Sequence, residues 1–241
     1  YAKLAYELTW NPFDDAVIAI ERYLTKYPKS HRKDEAYGFL LEVYMSSKDY
    51  DRALAALDQI EIKTPDVKKA YQLVAFNRGV ELFRAASYAE CDAFFDAART
   101  YPIDATIAAE SYFWQGEAHY LQGDYPSATS AYATFESAPG AFQSKHYADG
   151  MYARGYALFQ RKLYLDASSA FRSYLKTTAK STFPKRTDAK LRVADCYYAN
   201  KEFEPAARYY GDVIAESQKA EAYARFQRAE CFSSLNQPEA Q

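Results

Sequence analysis

A large aromatic residue followed three positions later by a small one recurs along the chain. The pairs are Phe13/Ala16, Tyr50/Ala53, Tyr88/Cys91, Tyr125/Ala128, Tyr164/Ala167 and Phe203/Ala206, and successive aromatics stand 37, 38, 37, 39 and 39 residues apart. Other columns keep step. Seven residues after each aromatic come Ile20, Leu57, Phe95, Tyr132, Phe171 and Tyr210; ten after come Tyr23, Ile60, Ala98, Phe135, Tyr174 and Val213. Nine before sit Gly79, Gly116, Gly155 and Ala194, with Leu41 interrupting the column. A period of this length means that each unit buries its apolar face by stacking on the next.

Offsets of 3, 7 and 10 lie on one face of an α-helix, so each aromatic opens an amphipathic helix. A Gly or Ala in the preceding helix lets the two backbones approach closely, which predicts an antiparallel helical hairpin. The loop between the two helices carries start signals. Ser87 with Glu90 forms a capping box, Asn11-Pro12 is an N-cap followed by proline, and Asp49 and Asp124 cap likewise. Tyr27-Pro28 and Tyr101-Pro102 end second helices, and Thr64-Pro65 marks another boundary. Glycine fits this picture: 8 residues in 241 is about half the usual share of roughly 7%, too few for a turn-rich β fold.

The run from Tyr112 to Tyr125 (YFWQGEAHYLQGDY), with Ala128 after it, resembles the tetratricopeptide repeat (TPR). Phe13 to Pro28 and Tyr50 to Pro65 resemble the second half of the same unit, including its closing proline. The spacing exceeds the family's usual 34 residues, and the closing proline is missing after Tyr164 and Phe203. Longer links between hairpins, such as Thr177 to Thr187, absorb the extra length. The resemblance implies an all-α, right-handed TPR superhelical solenoid of antiparallel helix pairs, about 13 helices starting with one near residues 1–9. Residues 1–241 are expected to form a single array of about six and a half repeats. The chain reads as cut at both ends, since it starts at Tyr1 and closes on what looks like a turn into a further helix. Its last segment, Glu221 to Leu235, is expected to leave an apolar side of Phe226, Ala229, Phe232 and Leu235 open to end-to-end self-association.

Charge and motifs narrow the function. Thirty Lys and Arg against 32 Asp and Glu leave −2, which lends no support to nucleic-acid binding. The stretch from Lys176 to Arg192, with Lys180, Lys185, Arg186 and Lys190 between, reads as a solvated loop and helix start. No run approaches the ~18 apolar residues of a membrane span. His31, His119 and His146 lack partners at metal-ligand spacing, and His119 falls in a packing column. Cys91, Cys196 and Cys231 fall at small-residue helix positions and read as packing groups. Asp14-Asp15 suits a helix start. Phosphate-binding glycine loops and nucleophile elbows are missing from the sequence. The reading is therefore non-enzymatic, with no cofactor and no metal.

In TPR proteins the first helix of each hairpin lines the concave side. The positions resembling groove residues lie 12, 8 and 5 before the repeat aromatic, on one helical face. They hold Gly38, Glu42 and Met45; Phe76, Val80 and Phe83; Phe113, Glu117 and Tyr120; Tyr152, Tyr156 and Phe159; and Leu191, Asp195 and Tyr198. Rigid aromatic area suits an extended peptide, so the expected binding residues are Phe76, Phe83, Phe113, Glu117, Tyr120, Tyr152, Tyr156, Phe159, Asp195 and Tyr198. The same rings also suit plain packing between hairpins. TPR co-chaperones that grip a terminal carboxylate use Lys and Asn here, so that mode is not expected. The leading function is a scaffold that binds a protein or peptide in a concave aromatic groove. Two alternatives stay open: a structural spacer of a larger protein, and small-ligand or glycan binding on the aromatic stripe. The Tyr-Pro-Lys-Ser stretch at 27–30 and the long units look most like TPR proteins of the Gram-negative cell envelope, of the Tol-Pal-associated and outer-membrane-assembly kind. That implies a periplasmic or envelope location, with the cytoplasm as the alternative.

Overall fold

The computed structural model describes residues 12–178, 183–216 and 221–236. Among these residues lie twelve α-helices, one short 3₁₀ turn at Ala141–Gln143 and no strand. The helix expected near residues 1–9, the Asn11 cap, and the side chains of Phe13, Asp14 and Asp15 lie outside the described residues. The chain divides into two compact units, Tyr1–Ser111 and Tyr112–Gln241.

The first unit contains α1 (Pro12–Lys26), α2 (Lys33–Ser47), α3 (Tyr50–Gln59), α4 (Pro65–Arg84) and α5 (Tyr88–Ala98). The division falls within α6 (Ala105–Leu121). The second unit continues with α7 (Tyr125–Ser137), α8 (Tyr147–Gln160), α9 (Tyr164–Thr177), α10 (Phe183–Ala199), α11 (Phe203–Glu216) and α12 (Glu221–Asn236). Helices pack on their neighbours in sequence: α1 to α4 successively and then α5 in the first unit, α7 through α12 in the second.

The repeat columns are the core. The small residues three after each aromatic, Ala16, Ala53, Cys91, Ala128, Ala167 and Ala206, are all fully buried. Leu57, Phe95, Tyr132, Phe171 and Tyr210 lie beneath them, and Ile60, Ala98, Phe135, Tyr174 and Val213 one turn further on. What fills the space over the column glycines is a ring, where the sequence suggested close approach of backbones. A Cβ on Gly79, Gly116 or Gly155 would stand 2.7, 2.6 or 2.7 Å from the ring of Phe95, Tyr132 or Phe171. The second helix inserts its +7 aromatic into a notch left by the first helix's missing side chain. A further notch of this kind, Gly150 against Phe135, joins α8 to α7.

The turns between paired helices share one device. Two residues before each repeat aromatic the backbone is left-handed: Lys48 (φ 60°), Ala86 (φ 60°), Gly123 (φ 79°), Lys162 (φ 60°) and Lys201 (φ 62°). This closes the first helix and aims the second, although only one of the five is glycine. Asp49 and Asp124 cap as expected, accepting from the N–H groups of Arg52 and Ser127, both at 3.2 Å. Thr64 caps α4 by accepting from Val67 N–H. Ser87 corrects the capping-box expectation: it holds the N-cap position without a side-chain bond. Its own carbonyl already accepts the Glu90 N–H at 3.2 Å, the donor that a capping box would give to the hydroxyl.

The long link expected from Thr177 to Thr187 is shorter, because α10 starts at Phe183. Proline at 184 is tolerated in that first turn. Arg186 then reaches back to the carbonyls of Leu175 and Thr178 at 2.7 and 2.6 Å, closing the end of α9. The fully buried Gln72 makes a link that the sequence did not suggest. Its amide donates to the Asp104 carbonyl at 2.9 Å and accepts the Asp104 N–H at 2.7 Å, tying α4 to the start of α6.

Candidate functional site: an aromatic cleft in the second unit

The groove columns separate once their contacts are known. In four hairpins the residue five before the aromatic packs on that aromatic. Ring centroids are 5.5 Å apart for Phe83–Tyr88, 5.4 Å for Tyr120–Tyr125, 5.4 Å for Phe159–Tyr164 and 5.5 Å for Tyr198–Phe203. The other two columns face the +7 rings. Phe76 lies 6.0 Å from Phe95, Phe113 6.2 Å from Tyr132, and Tyr152 and Tyr156 lie 5.9 and 5.2 Å from Phe171.

In the second unit these columns open into a cleft of about 370 Å³ between α6, α8 and the start of α10. Its lining includes five of the predicted residues: Phe113, Glu117, Tyr120, Tyr152 and Tyr156. The others do not reach it. Phe76 and Phe83 belong to the first unit, and Phe159 and Tyr198 are half-buried against Tyr164 and Phe203. Asp195 is buried, accepting from the hydroxyls of Tyr210 at 2.7 Å and Tyr223 at 3.2 Å and pairing with Arg192 at 2.7 Å.

Four lining residues were not among those predicted: Tyr132, Asp149, Ala153 and Lys185. Asp149, Tyr152, Ala153 and Tyr156 follow the i, i+3, i+4, i+7 spacing of one face of α8, a signal present in the sequence. Lys185 carried no comparable signal, since it arrives from 36 residues away to pair with Asp149 at 2.7 Å. Its ammonium also lies over the Tyr152 ring, 5.8 Å from the centroid. Phe113 is buried at the floor, stacked on His146 at 4.5 Å with an interplanar angle of 11°.

The hydroxyls set the electrostatics. Tyr132 donates to Glu117 Oε1 at 2.7 Å. Tyr152 donates to Asp188 Oδ2 at 2.7 Å, and the Tyr156 hydroxyl donates to the same oxygen. Burial, reinforced by Asp188, pushes the Tyr156 phenol up to about 12 and raises Tyr152 as well. Both stay neutral donors at any ordinary pH. Burial also holds Glu117 above the usual carboxylate range despite the Tyr132 hydrogen bond. A carboxylate paired with a tyrosine fifteen residues on recurs as Asp195–Tyr210.

The basic stretch is largely engaged within the fold. Lys185 pairs with Asp149, Arg186 holds carbonyls, Lys190 pairs with Glu216 and Arg192 with Asp195; Lys180 lies outside the described residues. The three cysteines are free and buried, and burial raises the Cys91 and Cys196 thiols to about 11 and about 12. They are packing groups held far from the reactive thiolate. No helix among the described residues is long and apolar enough to cross a membrane, and no group of three or more His, Cys, Asp or Glu there could hold a metal ion. A second cleft, of about 450 Å³, lies in the first unit among Glu21, Tyr37, Tyr44 and Arg52; none of the ten predicted residues lines it.

Paired helices, notched by glycine and stacked in sequence, define an all-α helical-hairpin repeat protein. More particularly, the fold is that of a tetratricopeptide-repeat array, and residues 152–223, from α8 to the start of α12, match the tetratricopeptide repeat family. Solved structures of similar fold include YrrB, described as a TPR protein with an unusual peptide-binding site. It shares 14% identity and covers 88% of this chain and 98% of its own, with a TM-score of 0.54. The C-terminal part of a TPR repeat-containing protein from Cytophaga hutchinsonii shares 18%, covering 99% and 89% with a TM-score of 0.53. MamA shares 16%, covering 80% and 97% with a TM-score of 0.52. Comparison with curated proteins finds no match.

Proposed function

We propose that this chain is a non-catalytic interaction module that holds a segment of a protein partner in the aromatic cleft of its second unit. The observation that carries this reading is the cleft itself: five rings and Glu117, contributed by two successive first helices and the second helix between them, around about 370 Å³. Rings fixed by their own packing offer contact area at little entropic cost. YrrB, of similar fold, is described as having a peptide-binding site, which agrees with this reading. The aromatic/small spacing runs alike through residues 1–111 and 112–241, which supports one continuous array. An envelope location rests on the resemblance carried by residues 27–30 and the long repeat units, and cell fractionation tests it.

The test is a selection from a random peptide library, followed by titration against Ala153→Trp. This substitution fills the cleft while leaving every packing ring in place. Selected peptides are expected to lose at least about tenfold in affinity on the variant. A selection that yields only peptides indifferent to Ala153→Trp overturns the assignment. A small-ligand reading is favoured by one observation: the cleft volume falls in the range of roughly 300–1,000 Å³ typical of small-molecule sites. Trp114, 5.4 Å from Phe113, reports on it through saccharide-induced quenching.

A further inference from the structure

We infer that the cleft takes a basic side chain, a lysine or arginine projecting from the bound peptide, with its stem between the rings and its cation at Glu117. This deepens the proposed peptide-binding function and rests on it.

The argument comes from how buried and half-buried carboxylates are compensated in this protein. Glu136 is held by both nitrogens of one Arg154 guanidinium edge, each at 2.8 Å, and Asp195 has Arg192 at 2.7 Å. Glu117 is hydrogen-bonded only by the neutral Tyr132 hydroxyl among the described residues, and the Lys185 ammonium acts on it weakly, from beyond ion-pair distance. A carboxylate removed from water without a cation is costly, and burial does raise its pKa. Lys185 does not fill the role, because its ammonium is bonded to Asp149 at the more exposed side of the cleft. The lining thus carries two carboxylates and one ammonium, and an anion entering it would meet Glu117.

The walls suit the same guest. Tyr120, Tyr152 and Tyr156 present rings on which an alkyl stem packs and whose faces attract a cation. The Lys185 ammonium already lies over the Tyr152 ring, so the cleft demonstrates the contact with a side chain of its own. The cavity readily holds one long side chain, and the backbone bearing it would run along the face of α8.

The experiment is an NMR titration of the isotopically labelled 241-residue chain with four blocked peptides of alanine and serine. They differ in one central residue: lysine, arginine, norleucine or glutamate. The lysine and arginine peptides are expected to shift resonances of Ala153, Tyr156 and Glu117 at concentrations about tenfold lower than the norleucine peptide, with the glutamate peptide weakest. Raising the salt narrows that ratio. Glu117→Gln, which still offers Tyr132 an acceptor, is expected to erase the preference for lysine and arginine over norleucine. Asp149→Asn, which adds net positive charge, lowers it independently and serves if Glu117→Gln does not fold. Equal binding of all four peptides at the cleft overturns the basic-side-chain inference and leaves the groove reading standing. If none perturbs the cleft, the inference falls, and the library selection against Ala153→Trp decides the groove reading separately.

Discussion

At the level of single residues, backbone conformation is decided by position in the hairpin rather than by residue type. Ala86 and the lysines at 48, 162 and 201 adopt φ near +60°, a conformation costing an L-residue roughly 1–2 kcal/mol. Ala86→Gly is therefore expected to stabilise the protein by up to about 1 kcal/mol, partly offset by added freedom in the unfolded chain. Gly123→Ala should lose about 1 kcal/mol. Urea titration measures both, and destabilisation by Ala86→Gly would contradict the geometry. Glu117 makes a second prediction at this scale. Its folded pKa lies above the unfolded value, so the folded state binds the extra proton between the two. Its effect is a loss of stability as pH rises through that window, level again above it. Glu117→Gln should flatten the fall in melting temperature as pH is raised from about 4.3, the unfolded glutamate value. An unchanged pH profile would mean that Glu117 is not desolvated.

For the helices, the decisive contact is a ring seated in a glycine notch. Gly155→Ala would place a Cβ 2.7 Å from Phe171, a fully buried ring with nowhere to move. Overpacking of this kind costs about 1–3 kcal/mol. Gly38 is the contrast: a Cβ there meets nothing within 4 Å, and mid-helix Gly38→Ala should gain roughly 0.5–1 kcal/mol. Opposite signs for the same chemical change test the notch directly. The notch column was visible in the sequence as Gly79, Gly116 and Gly155. Its occupant was not, because the spacing shows which residues share a face and leaves open which atom fills the gap. The carboxylate–tyrosine pairs were also latent: tyrosine at the +7 position, Tyr132 or Tyr210, coincides with an acid at −8, Glu117 or Asp195. Read as groove residues alone, both acids also serve as acceptors for buried hydroxyls.

On the scale of the whole molecule, packing is between neighbours, so a local fault should spread locally. In Gly155→Ala, hydrogen exchange is expected to quicken most in α8 and α9, less in α10, and least in α12. Uniform loss across the second unit would instead mean that it unfolds as one body. At the far end, Ala224 and Cys231 of α12 are buried, whereas Phe226, Phe232 and Leu235 stay 60%, 45% and 49% exposed. If that face stacks on a second copy, Phe226→Glu lowers the mass found by light scattering. A monomeric parent protein refutes the stacking.

The helix pairs, their order and most of their boundaries follow from the sequence by itself, because apolar periodicity and caps act over three to ten residues. The candidate groove residues were legible for the same reason, as a face of each first helix. Which of them share a cleft was decided only by tertiary structure. Phe159 and Tyr198 turn into their own hairpins, and Asp195 disappears beneath Tyr210, Tyr223 and Arg192. Tyr152 and Tyr156 are anchored by Asp188, and Lys185 is delivered to Asp149 from another helix. The Asp188 and Lys185 pairings join residues 32 to 36 positions apart, and they depend on distances between helices, which no periodicity in a single helix encodes.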